Sequence, residues 1–126
     1  MQIVKYTEIR KMALASSATV WEYDTKDAKI SGAVAQINGR YPEKGFAVNE
    51  KSKELVFVLS GNGKVITPKG GNDIDLGDEI LLDTNEKYAW EGNMTIFMAT
   101  TPAFDPKQHK ILDNTKKSAI TNDAQK

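Results

Sequence analysis

Apolar and polar positions in this chain alternate in short bursts rather than at helical intervals. Residues 30–38 set Ala33, Ala35 and Ile37 on one side and Val34, Gln36 and Asn38 on the other, the period of two that a strand requires. The most apolar burst, residues 55–59, follows a polar segment carrying Asn49, Glu50 and Glu54 and is stopped by Ser60-Gly61-Asn62-Gly63, which reads as a turn. Further strand-like runs fall at residues 19–23, 46–49, 64–67, 74–76, 79–82, 87–90 and 94–101. Between them lie Pro68-Lys69-Gly70-Gly71-Asn72, Gly77-Asp78, Asp83-Thr84-Asn85 and Gly92-Asn93, each read as a turn. Strands spaced about 8 to 12 residues apart predict an all-β sandwich or barrel.

The ends of the chain are less regular. Ile3, Tyr6, Ile9 and Met12 suit either a short helix or an extended N-terminal arm lying on the domain. Pro102, Phe104 and Pro106 suggest a segment laid over the barrel, with Ile111 and Leu112 as its last apolar anchor. The expected organisation is one domain over residues 1–112 and a polar, flexible tail over residues 113–126.

Composition narrows the function. With 126 residues the chain can bury roughly two-thirds of the surface its unfolded form exposes. It has no Cys, which excludes thiolate chemistry and disulfides and fits a reducing compartment. Lys plus Arg and Asp plus Glu are balanced at 17 each, so no net field recruits nucleic acid. The start lacks the pattern of a secretory signal, and no apolar run approaches the roughly 20 residues of a membrane span. A soluble cytoplasmic protein with neither nucleic-acid nor membrane partners is the expectation.

Two stretches resemble the motifs of the cupin superfamily. Glu54 and Gly61 enclose six residues, as the Glu and Gly of the first cupin motif do, and Gly77-Asp78-Glu79-Ile80-Leu81-Leu82 is similar to the opening of the second. The run Thr101-Pro102-Ala103-Phe104-Asp105-Pro106 is similar to the segment that closes many single-domain cupins, so the resemblance spans about residues 39–112. It implies an antiparallel double-stranded β-helix, the jelly-roll barrel. The metal-binding pattern is missing. Where metal-binding cupins carry two His before the motif Glu, this chain has Val48 and Glu50, or Ala47 and Asn49, and the third His position holds Tyr88. These residue types offer poor donors to a transition metal, so no metal cofactor is expected. Glu50 and Glu54 leave room only for a weakly bound hard ion.

The resemblance turns Glu54 inward, where Val56 and Val58 share its face. Leu55, Phe57 and Leu59 then point outward and need covering by the N-terminal arm, the C-terminal segment or a second subunit; a homodimer is the expectation. Glu54 either sits at a solvated edge beside Lys53 or is buried with a perturbed pKa suited to acid–base work. Tyr88 and Trp90 share a face and, if inward, form an aromatic wall for a sugar or another ring-bearing metabolite, although Trp90 also suits the core. Asn49, Glu50, Arg40, Tyr41 and Gln36 complete the candidate ligand-binding set, with Arg40 and Tyr41 at the rim. His109, among charged neighbours and outside both motifs, reads as a surface residue.

The favoured reading is a small-molecule-binding protein without a transition metal. The alternatives are a metal-independent isomerase, epimerase or lyase using Glu54 or Glu50 as base and Tyr88 as acid, and an enzyme with a weak metal on Glu50 and Glu54.

Overall fold

A computed structural model of the chain describes residues 1–113. Nine strands form: β1 (Arg10–Ala15), β2 (Ala18–Tyr23), β3 (Ser31–Tyr41), β4 (Phe46–Asn49), β5 (Lys53–Thr67), β6 (Gly70–Asp75), β7 (Glu79–Leu82), β8 (Ala89–Thr101) and β9 (His109–Leu112). Short 3-10 turns at Tyr6–Glu8 and Pro106–Gln108 are the only helical elements among the described residues. No helix there is long and apolar enough to cross a membrane.

The main sheet runs β1-β2-β3-β8-β5-β6, and β7 pairs with the first half of β5. Strands β4 and β9 form a second, two-stranded ladder, tied to the start of β8 by paired backbone hydrogen bonds between Ala47 and Tyr88 of 2.8 and 3.0 Å. All pairings are antiparallel. Curling of the sheet puts one face inside, where Ile37, Val56, Val58, Met94 and Ile96 are fully buried. The alternation read from residues 30–38 holds, with Ala35 and Ile37 in the core and Val34 and Gln36 on the other face.

Two apparent turns are strand interior. Ser60-Gly61-Asn62-Gly63 continues β5, and Gly92-Asn93 continues β8; the two segments pair with each other. The register shifts between Val58 and Ser60, a bulge that bends β5 and carries it from one half of the barrel to the other. Glycine is needed here for close approach. A Cβ on Gly61, whose φ is +79°, would stand 2.2 Å from the Asn93 carbonyl oxygen, and one on Gly92 would stand 2.6 Å from the Cα of its register partner Gly63. From sequence, glycine that permits a bend inside a strand looks the same as glycine that ends one.

The chain ends also differ from expectation. Residues 10–15 form β1, whose Arg10, Lys11, Met12 and Ala13 pair with β2 despite the mixed sequence, because an edge strand needs backbone partners on one side only. Residues 109–112 form β9 instead of a loose overlay, held by backbone pairing to β4, and Ile111 and Leu112 are exposed rather than buried anchors. Apart from Asp113, the expected tail lies outside the described residues.

Gly61→Ala is expected to lower stability by about 2 kcal/mol or more, through strain at positive φ and the carbonyl contact. Gly71→Ala, where the nearest atom to a new Cβ is the flexible Lys64 side chain at 3.4 Å, should change it little. Urea unfolding midpoints of the two variants test this difference.

Candidate functional site

A cavity of about 170 Å³ opens at one end of the barrel. Its apolar wall comes from β2, β3 and β8, including Val20, Ala35, Ile37, Ile96 and Met98. Its polar floor is made by Glu54, Thr100, Tyr88, Tyr41 and His109. Strand register explains how residues far apart in sequence meet: Glu54 on β5 stands opposite Thr100 on β8, Tyr41 at the end of β3 opposite Trp90, and Asn49 at the end of β4 opposite His109.

Glu54 is buried, 5% exposed, because β5 is flanked at this point by β7 and β8. Thr100 Oγ1 donates a long 3.4 Å hydrogen bond to Glu54 Oε2. Oε1 has no hydrogen-bond partner. A carboxylate with one buried, unpaired oxygen is costly, and its neutral form is favoured. Burial accordingly raises the Glu54 pKa from its ordinary 4.5 to about 7, opposed by Thr100 and the Asn49 amide. Asn49 lies near enough to favour the charged form, yet its oxygen is taken by Gln108 Nε2 at 3.1 Å and His109 Nδ1 at 3.0 Å.

The phenols surround this carboxyl. Tyr88 is buried and packs on Trp90 with ring centroids 5.6 Å apart at 60°. Burial, then the Glu54 charge, then Tyr41 push its pKa well above the ordinary phenol value, so it is a neutral donor at any physiological pH. Tyr41 is raised too, by burial and then by Glu54. Its hydroxyl lies 3.1 Å from His109 Nε2, with the two rings nearly parallel at 7°. Burial lowers the His109 pKa, so the imidazole is held towards its neutral form.

The candidates from sequence therefore separate. Glu54, Tyr88, Trp90 and Tyr41 line the cavity, and Asn49 stands behind it through His109. Trp90 belongs to both the core and the cavity wall. Glu50 is exposed and contributes its backbone N–H to the Gln108 carbonyl at 2.8 Å, so it is not placed to act as a base or to share an ion with Glu54. Gln36 points to the outer face, where it accepts from the Thr95 hydroxyl and donates to Asn93 Oδ1. Arg40 folds over the Phe46 ring and donates to the Pro42 carbonyl at 2.7 Å, outside the cavity lining. His109 corrects the surface reading: β4–β9 pairing, invisible in the charged run around it, turns the ring inward against Tyr41 and Phe104. Thr100 was missed because only the register of β5 on β8 reveals it. At the mouth, Arg10 Nη2 is held by Glu22 Oε1 at 2.6 Å and Asp24 Oδ2 at 3.0 Å.

These residues do not suit a transition metal. No group of three His, Cys, Asp or Glu converges among the described residues, and both His109 nitrogens are engaged by Asn49 and Tyr41.

No protein-family model and no curated protein sequence matches the chain. Solved structures do. The Streptomyces protein Pac13, described as a unique nucleoside dehydratase, superposes with a TM-score of 0.80 at 15% identity over 90% of this chain and 92% of its own. The polyketide cyclase RemF from Streptomyces resistomycificus gives 0.70 at 11% identity, covering 89% of this chain and 85% of its own. An RmlC-like cupin from Shewanella frigidimarina gives 0.65 at 8% identity, covering 79% and 88% respectively. At such identities the likeness establishes the fold: an all-β, cupin-like jelly-roll barrel, as the two motifs implied.

Glu54 makes stability depend on pH with a definite sign. Its folded pKa lies above its unfolded value, so its neutral form contributes stability that is fully present below about pH 4.5 and lost as pH rises through about 7. His109, lowered on folding, contributes in the opposite sense, its share being lost as pH falls below its ordinary 6.5. Between pH 5 and 8 the Glu54 contribution is on the order of 2 to 3 kcal/mol. Denaturant unfolding at both pH values should show the wild type losing that much more stability than Glu54→Gln.

Proposed function

We propose that this chain is a metal-independent acid–base enzyme of the lyase or isomerase type, working on a compact, uncharged, ring-bearing hydroxylated molecule. The observation that carries the reading is Glu54: a buried carboxyl with one unpartnered oxygen and a pKa near 7, on a cavity floor that also presents two tyrosines. A purely structural carboxyl gains nothing from an unpaired oxygen, whereas a group that exchanges protons with a ligand needs that oxygen free and its pKa near the working pH. This favours catalysis over simple binding, the reading preferred from sequence.

The cavity also constrains the ligand. Its aliphatic wall with Trp90 at the side suits a ring, and its volume limits the ligand to a small one. An anionic ligand would meet Glu54, Glu22 and Asp24, while the cation at the mouth, Arg10, is already held by two carboxylates. Pac13 is described as a nucleoside dehydratase, and substituted forms of it are described with uridine. A nucleoside bearing a β-hydroxycarbonyl group is therefore the first substrate to try. Elimination would break a C–H bond next to the carbonyl and release the hydroxyl as water, with Glu54 supplying the proton that the leaving oxygen takes up.

The partner we propose is a second copy of the chain. Leu55, Phe57, Leu81 and Phe97 lie on the outer face of neighbouring strands β7, β5 and β8 and are 39% to 59% exposed. The described parts of the N-terminal and C-terminal segments leave this face exposed, which favours a second subunit among the three covers considered from sequence. A contiguous apolar face of this kind marks an interface. Light scattering at micromolar concentration should give twice the monomer mass and Phe57→Asp half of that; a monomeric wild type contradicts the proposal.

Turnover is tested by incubating untagged, chelator-treated protein with β-hydroxycarbonyl nucleosides in deuterated water and following elimination and α-deuteration by NMR. Wild type should react, and Glu54→Gln should slow the reaction by on the order of 10²-fold or more. Equal rates in the two proteins, or activity that returns only on adding a metal ion, would overturn this reading.

A further inference from the structure

The hydrogen bonds behind Tyr41 run in one direction, and they start from the backbone. Gln108 Oε1 lies 3.0 Å from the Lys51 N–H and 3.2 Å from the Ser52 N–H. Backbone amides can only donate, so the atom facing them is the Gln108 oxygen and its Nε2 must face the other way. That nitrogen donates to Asn49 Oδ1 at 3.1 Å. The same oxygen, with one lone pair used, lies 3.0 Å from His109 Nδ1. An amide oxygen cannot donate, so His109 must carry a proton on Nδ1. In the neutral ring, Nε2 is then a bare lone pair, and the Tyr41 hydroxyl 3.1 Å away must donate to it.

We infer that Gln108 and Asn49 are positioning residues that lock His109 in its Nδ1–H form, so that Tyr41 gives its proton to His109 and presents only lone pairs to the cavity. This rests on the acid–base reading of the site and divides its labour. A ligand must bring a donor to Tyr41. When a substrate proton passes to the Tyr41 oxygen, the Tyr41 proton passes to His109 Nε2, leaving an imidazolium whose Nδ1–H remains on Asn49. Tyr41 thus accepts the proton taken from the substrate, and Glu54, on the same cavity floor, supplies the one that leaves with the hydroxyl. Release of the extra proton from the imidazolium to solvent through Tyr41, and uptake of a solvent proton by Glu54, restore the starting state.

The locking is built into the second ladder. Asn49 and His109 are register partners of β4 and β9, and Gln108 ends the 3-10 turn that leads into β9, with its side chain buried beside them. Nothing in this arrangement depends on a bound ligand.

The chain contains a single His, so the ring nitrogens of ¹⁵N-labelled, untagged protein give one unambiguous pair of signals. Long-range ¹H–¹⁵N correlation on the ligand-free wild type, above the His109 pKa, should show Nδ1 protonated and Nε2 unprotonated. The reverse assignment, or an averaged ring, overturns the inference. Gln108→Glu should reverse the tautomer, because a carboxylate there keeps both backbone amides but cannot donate to Asn49, whose amide then turns to donate to both neighbours. A folded Gln108→Glu protein with an unchanged ring would remove Gln108 from its positioning role. The ring state is read without substrate, so failure to find turnover leaves this test intact, and a wrong tautomer leaves the acid–base role of Glu54 to be judged separately.

Discussion

The structure depends on how β5 is held at Glu54. This strand has a neighbour on each side, β7 and β8, and its inner face continues from Glu54 into Val56 and Val58, both fully buried. The register that seals the core therefore forces a carboxyl into it. Only one of the two oxygens finds a hydrogen bond, and that one is long. Moving Glu54 to solvent would require slipping β5 by one residue, which would turn Val56 and Val58 out of the core along with it. The apolar strand thus maintains a carboxyl in a state that isolated chemistry would not select.

The cavity around this group joins two mechanically different parts. The main sheet supplies Glu54, Thr100, Tyr88 and Tyr41 from strands that are 11 to 15 residues long or immediately adjoin them. The small β4–β9 ladder supplies His109 and its support. Backbone pairing of Ala47 with Tyr88 fastens one part to the other at the edge of the cavity. Groups that must agree to within a hydrogen-bond length are thereby placed by ladders, and only Gln108 comes from a turn.

Much of this was legible in the sequence where a side chain's own pattern decides its place. The alternation around Ile37 grouped the two faces of its strand correctly, the resemblance to the cupin motif and not the period turned Glu54 inward, and the Glu54–Gly61 and Gly77 spacings pointed to the barrel. Tyr88 and Trp90 shared a face as the period of two required. What stayed hidden was set by pairing. His109 sits among Lys107, Gln108 and Lys110, and its inward direction comes from Asn49 on the facing strand, sixty residues earlier. Thr100 and the interior glycines Gly61 and Gly92 are likewise explained only by what stands opposite them. Glu50 was plausible because it falls at a position where metal-binding cupins carry a His and could pair its carboxylate with Glu54, but the strand ends at Asn49 and leaves Glu50 exposed.

The central claim is that burial with an unpartnered oxygen keeps the Glu54 carboxyl near neutrality. The most direct measurement is its own titration, followed by the side-chain carboxyl ¹³C resonance and assigned by its absence in Glu54→Gln. The account predicts a midpoint near pH 7. A midpoint near the ordinary 4.5 would show that the carboxyl is solvated or fully paired, and would contradict it.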